Sequence, residues 1–134
     1  MRIIQLWLTL FSIFLLPFTG SAQEKNTCLS DHLPDYPLPK GVSAPFAGFI
    51  GDWLVVAGGC NFPDIPALEG GKKVYYSQGY ALDTHAASPQ WLPLPDLPYP
   101  VAYGASVETP QGLVCIGGMN ADSCLTQVYR LTWN

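Results

Sequence analysis

The sequence predicts an all-β protein of short antiparallel strands, arranged as two copies of one unit. Three observations predict it. The stretch Trp53-Leu54-Val55-Val56-Ala57-Gly58-Gly59 recurs in altered letters as Gly112-Leu113-Val114-Cys115-Ile116-Gly117-Gly118, 59 residues separating Gly58 from Gly117. Self-similarity at such a period marks a repeat architecture. Thirteen Gly, thirteen Pro and 13% aromatic residues in 134 suit short strands and many turns rather than long helices. Finally, Trp53 to Ala57 lacks polar alternation, as a strand covered on both faces does.

Residues 1–22 stand apart from these units. Met1-Arg2 gives a positive start, Ile3 to Phe18 is largely apolar, and Gly20-Ser21-Ala22 offers small residues at a cleavage position. This is the three-part pattern of a secretory signal peptide. The apolar run is shorter than the roughly 20 residues that span hydrocarbon, so cleavage is expected over a retained anchor, leaving no membrane span. Periplasmic or secreted localisation follows. Past residue 22 the chain carries five basic against ten acidic residues, with no basic patch, which argues against nucleic acid as a partner.

Four cysteines, Cys28, Cys60, Cys115 and Cys124, belong to this exported chain, where disulfides persist. Three pairings are open. Cys115 lies inside an apolar run and reads as a buried small hydrophobe. Cys60 and Cys124 lie in loops at corresponding edges of successive units and form the first pair to test. No CxxC spacing and no neighbouring His suggest a zinc site, so no metal is expected.

Residues 23–45 form a proline-rich lead-in, Leu33-Pro34-Asp35-Tyr36-Pro37-Leu38-Pro39, resembling Leu92-Pro93-Leu94-Pro95-Asp96-Leu97-Pro98 further on. Such proline density forbids a helix; by itself it would read as an extended linker. The first unit, 46–97, opens with a strand expected over Ala44 to Ile50. Gly51-Asp52 is a hairpin turn and Trp53 to Ala57 the return strand. Gly58-Gly59 ends that strand where the backbone turns sharply or packs closely. A long loop, Asn61 to Lys73, precedes a third strand over Val74 to Leu82, and Trp91-Leu92 opens a fourth. The second unit, 98–134, repeats the order: strands over Val101 to Glu108, Leu113 to Ile116 and Leu125 to Thr132, with Gly117-Gly118 after the second.

A double glycine, then a tyrosine (Tyr80), then a tryptophan (Trp91) is the signature of a kelch repeat, one four-stranded blade of a β-propeller. Two blades do not close a ring, since propellers use about four to eight. The chain is therefore expected to be the front portion of a longer product that supplies the remaining blades. Self-assembly of several copies is the rival expectation.

Pro45-Phe46-Ala47-Gly48-Phe49, Leu54 to Gly59, Asn61-Phe62-Pro63, Glu69-Gly70-Gly71-Lys72-Lys73, Ala102-Tyr103-Gly104-Ala105-Ser106 and Ile116-Gly117-Gly118 together resemble the cyclically permuted mutarotase family. That family is related to bacterial N-acetylneuraminate epimerase (sialic acid mutarotase), and the resemblance covers roughly residues 33–132. It implies a six-bladed kelch propeller, here about two blades with the second incomplete, exported and acting on a small sugar acid without a cofactor. The family's catalytic glutamate and accompanying arginine fall in a blade with no counterpart in this sequence, so no catalytic residue carries over.

Anomer interconversion needs one group to accept the anomeric hydroxyl proton and another to donate to the ring oxygen. The substrate carboxylate needs a cation or N–H donors. Within the long loop, Glu69 is the candidate for proton transfer, Lys72 for charge, Asn61 for hydroxyl groups and Phe62 for stacking, with Asn120 in the corresponding loop. Each has a structural alternative: Glu69 and Lys72 as a surface ion pair, Asn61 as a turn former, Phe62 as a cap on the core. A non-enzymatic kelch module binding carbohydrate or protein, or an inactive fragment, are the alternatives to a mutarotase.

Overall fold

A two-residue hairpin sets the first blade. A computed structural model of the protein describes residues 31–133. The signal-peptide expectation and Cys28 lie outside the described residues. Strand β1 (Phe46–Ile50) pairs antiparallel with β2 (Trp53–Ala57), from Phe46 opposite Ala57 to Ile50 opposite Trp53. Gly51, at φ 60°, supplies the positive φ that such a tight hairpin requires at its first turn position. Strand β2 pairs in turn with β5 (Gly79–Asp83), and β5 with β6 (Trp91–Leu94), giving a four-stranded sheet in the order β1-β2-β5-β6. In the second blade β7 (Ala105–Thr109), β8 (Gly112–Met119) and β9 (Cys124–Leu131) form a three-stranded sheet. This is the all-β blade architecture of a partial β-propeller.

The stretch expected as one strand over Val74 to Leu82 is two. Its first part, β4 (Val74–Tyr75), pairs with β3 (Cys60–Asn61), and its second is β5. The cause is the glycine pair opposite. Gly58 and Gly59, at φ 72° and 96°, jog the backbone, and the facing chain jogs with it while two hydrogen bonds hold across the step. Gly58 donates to the Gln78 carbonyl at 2.9 Å, and Tyr76 donates to the Gly59 carbonyl at 2.9 Å.

The second pair behaves differently from the expectation that it ends its strand. Gly117 and Gly118, at φ 59° and 106°, lie inside β8, which runs on to Met119 with a register irregularity between Ile116 and Gly118. The short turn Asn120 to Ser123 keeps the two arms paired on both sides of the jog, so β8 is the equivalent of β2 and β3 joined.

The strand expected from Val101 starts at Ala105. Residues 101–104 spend their backbone hydrogen bonds elsewhere: the Val101 carbonyl accepts from Gly59 at 2.7 Å, and Val101 N–H donates to Tyr76 at 3.1 Å. Ala102 exchanges bonds with Met119, and Tyr103 N–H donates to Ala44 at 3.0 Å. Likewise β1 begins at Phe46 rather than Ala44, because Ala44 takes the left-handed φ of 51°.

Both sheets meet on one core. Phe46, Val55, Ala57 and Ala81 of the first blade pack with Leu97, Val101, Leu113 and Cys115, the last two wholly buried. Burial accounts for the Cys115 thiol being pushed up to about 11. Side chains of β7 also reach the backbone of β1. Ser106 Oγ donates to the Ala47 carbonyl at 2.8 Å and accepts from its N–H at 3.2 Å, and Phe49 N–H donates to Glu108 at 2.8 Å. The proline-rich lead-in is packed rather than a free linker. Tyr36 meets Tyr80 and Trp91 edge to face, each at 5.3 Å, and Trp91 Nε1 donates to the Pro34 carbonyl at 2.9 Å.

Cys60 and Cys124, the first pair to test, are not bridged: among the described residues Cys60, Cys115 and Cys124 are all free thiols. Cys60 is buried and turned toward Tyr103, whereas Cys124 is exposed and pairs within its own blade opposite Met119.

Candidate functional site

Antiparallel pairing sorts the connections between two ends. The turns 51–52, 84–90 and 110–111 lie at one end; the chain entering β1, the connection 58–78, the segment 95–104 and the turn after Gly118 lie at the other. Every polar candidate read from the sequence falls at this second end. Hydrogen bonds across the seam tie its two halves together, including Gly59 N–H to the Val101 carbonyl at 2.7 Å.

Asn61 and Asn120 hold turns. Asn61 Nδ2 donates to the carbonyls of Gly41 at 2.6 Å and Pro39 at 3.1 Å, while its Oδ1 accepts from the Tyr76 hydroxyl at 2.7 Å. That clasps the lead-in to the long connection. Asn120 Oδ1 accepts from the N–H groups of Asp122 and Ser123, both at 3.0 Å, closing the β8–β9 turn. Glu69 ends a short 3-10 turn, Ala67–Glu69, and is exposed. Lys72 is exposed too, and no Glu69–Lys72 ion pair forms; among the described residues the one such contact is His32–Asp35. Phe62 is half-buried.

The side chains that do converge are Phe62, Lys73, Tyr103 and Cys60. Lys73 Nζ donates to Tyr103 Oη at 2.7 Å and lies 4.9 Å from that ring's centre and 5.5 Å from the Phe62 ring. A cation near an aromatic face is attracted by the ring quadrupole, which Phe62 supplies, while the Tyr103 phenol holds it by the hydrogen bond. Its hydrogen bond to Tyr103 raises the Lys73 pKa, with burial opposing, so the ammonium stays charged. Cys60 Sγ lies 3.4 Å from the same phenol oxygen. Tyr103 itself is 49% exposed and takes a left-handed φ of 63°. Such a conformation is uncommon for a bulky residue and is held by its surroundings. The equivalent position of the first blade, Ala44, has the same backbone twist, so the repeat imposes the strain and only the second blade hangs a phenol on it.

Sequence reasoning chose Lys72 and passed over Lys73, Tyr103 and Cys60. No local pattern distinguishes which of two adjacent lysines folds back over the loop. A usable signal did exist for Tyr103: a tyrosine stands where the sister unit has alanine, beside a glycine.

No family model matches the chain. Among curated proteins it is similar to the N-acetylneuraminate epimerase of Yersinia enterocolitica, 33% identical over 104 residues, which is 70% of this chain and 26% of that protein. It is 34% identical to the N-acetylneuraminate epimerase of Brucella suis over 71% of this chain and 26% of that protein. The Yersinia pestis enzyme of the same name is 31% identical over 86% of this chain and 27% of its own length. A solved structure, described as "Structure of YjhT", superposes with a TM-score of 0.62 at 30% identity, covering 72% of this chain and 29% of that one. The chain is a relative of the N-acetylneuraminate epimerases. It spans about a quarter of the length of these epimerase relatives. Among the described residues no helix is long and apolar enough to cross a membrane.

Proposed function

We propose that this chain contributes part of an exported sugar mutarotase that interconverts the anomers of N-acetylneuraminate. The observation that carries the reading is its kinship with several N-acetylneuraminate epimerases at about a third identity, on a matching blade fold. The reaction opens a cyclic hemiketal and recloses it on the other face. A base takes the anomeric hydroxyl proton while an acid protonates the ring oxygen, and the two then exchange roles. Side chains and water suffice for that exchange. In this reading the blade end with the long connection faces the sugar, and the other groups of the proton exchange come from further blades.

Adding the full-length protein to a freshly dissolved single anomer of N-acetylneuraminate, followed by proton NMR, tests it. Equilibration should run well above the buffer rate. An unchanged rate sinks the mutarotase reading and leaves carbohydrate binding without catalysis. Export is part of the same reading: the mature protein recovered outside the cytoplasm should begin at Gln23, and recovery with Met1 still attached would contradict it.

A further inference from the structure

We propose that Lys73 and Tyr103, roofed by Phe62, form the binding site for the carboxylate of a small sugar acid. This deepens the mutarotase reading and rests on it for the sugar's identity. The evidence is the direction of the hydrogen bonds. Tyr103 Oη receives the Lys73 ammonium at 2.7 Å and has Cys60 Sγ at 3.4 Å. Neither neighbour is a strong acceptor, because an ammonium has no lone pair and a thiol sulfur accepts weakly. Among the described residues the phenol proton therefore has no strong acceptor, and Tyr103 is exposed enough to offer it outward. Lys73 spends one N–H on the phenol and retains two more.

The result is a cluster of donors with no matching acceptor. Ionised carboxylates are acceptors only, with two oxygens to fill, and charge-assisted bonds to them are the stronger class. No protein carboxylate takes this place: among the described residues the one acid–base contact is His32–Asp35. The site also lies on the seam between blades, Lys73 coming from the long connection of the first and Tyr103 from the segment that enters the second. The Phe62 ring and the Tyr103 hydroxyl hold the ammonium in place, and the two rings offer flat apolar surface beside it.

The test uses the full-length protein and two probes, N-acetylneuraminic acid and its methyl ester, titrated by calorimetry at neutral pH. The wild type should bind the acid about tenfold or more tightly than the ester, as a charge-assisted bond allows. Lys73→Met should erase that preference, and Lys73→Arg should keep most of it. Tyr103→Phe should lower acid affinity by a smaller factor. Melting curves matching the wild type show that each variant is folded.

Equal binding of acid and ester by the wild type overturns the site, as does an acid preference that survives Lys73→Met. A Lys73-dependent preference without faster anomer equilibration supports the site and rejects the catalyst. Binding of neither probe rejects both.

Discussion

The same connection is built twice and used differently. In the first blade β2 and β5 are joined through Gly58-Gly59, the short β3–β4 ladder and a long excursion over residues 62–73; in the second, β8 and β9 close through Asn120 to Ser123 alone. The two share their backbone logic. Both glycine pairs have positive φ, Ala44 and Tyr103 share a left-handed twist, and Ser43 bridges Cys60 as Ala102 bridges Met119. They differ in what the frame carries. The excursion brings Phe62 and Lys73, Cys60 stands where the second blade has Met119, and Tyr103 where the first has Ala44. Architecture lives in the positions that agree, and the donor cluster in those that do not.

The largest effect is expected where the blades agree. A Cβ on Gly59 would lie 2.8 Å from Val42 Cβ, and one on Gly118 would lie 2.6 Å from Val101 Cγ2, both at strongly positive φ. Gly59→Ala and Gly118→Ala should each cost about 2–4 kcal/mol in urea unfolding, combining left-handed strain with overpacking. One of them proving neutral would break the equivalence of the two jogs. Next comes a difference between blades. Asn61→Ala strands two carbonyls and the Tyr76 hydroxyl, so a loss of about 2–3 kcal/mol is expected, against about 1 kcal/mol for Asn120→Ala, which loses only turn contacts. Reversal of that order would show that the short turn, not the long connection, is the stronger clasp.

The smallest effect concerns Tyr36, where the lead-in meets the first blade. Its hydroxyl is buried without a partner among the described residues, and burial, aided by Tyr80, pushes it up to about 12. With the folded value raised above the ordinary 10, the unfolded chain ionises first. The stability of the neutral buried phenol is fully present below about pH 10 and is lost as pH rises toward 12. Tyr129, pushed up to about 12 chiefly by burial, adds to the same slope. Tyr36→Phe should therefore be neutral or slightly stabilising at pH 7 and should flatten the alkaline loss of melting temperature, most visibly between pH 10 and 12. A steeper alkaline loss in the variant would contradict the burial of that hydroxyl.

The frame was legible in the sequence because it depends on residue types with few alternatives. Only glycine suits the jogs, the Gly51-Asp52 turn reads directly, and the apolar run Trp53 to Ala57 is a strand in the structure with those bounds. Less legible was anything set by contacts across the repeat. The break at Tyr76–Gln78 follows from glycines on the opposite arm, and the late start of β7 follows from bonds that Val101 makes to the first blade. The donor cluster was least legible, since it joins Cys60, Lys73 and Tyr103 through a fold that places them together across 43 residues of chain. The candidates Asn61 and Asn120 lie in connections at the same end of the blades, and both Asn61 amide atoms and the Asn120 Oδ1 are spent on holding backbone.

The most direct test shortens the long connection in the full-length protein, replacing residues 62–73 by the turn sequence Ala121-Asp122-Ser123. If architecture and chemistry are divided as proposed, the variant keeps a cooperative melt while the proposed acceleration of N-acetylneuraminate anomer equilibration falls to the buffer rate. A folded variant that still accelerates the exchange at the wild-type rate would contradict the division.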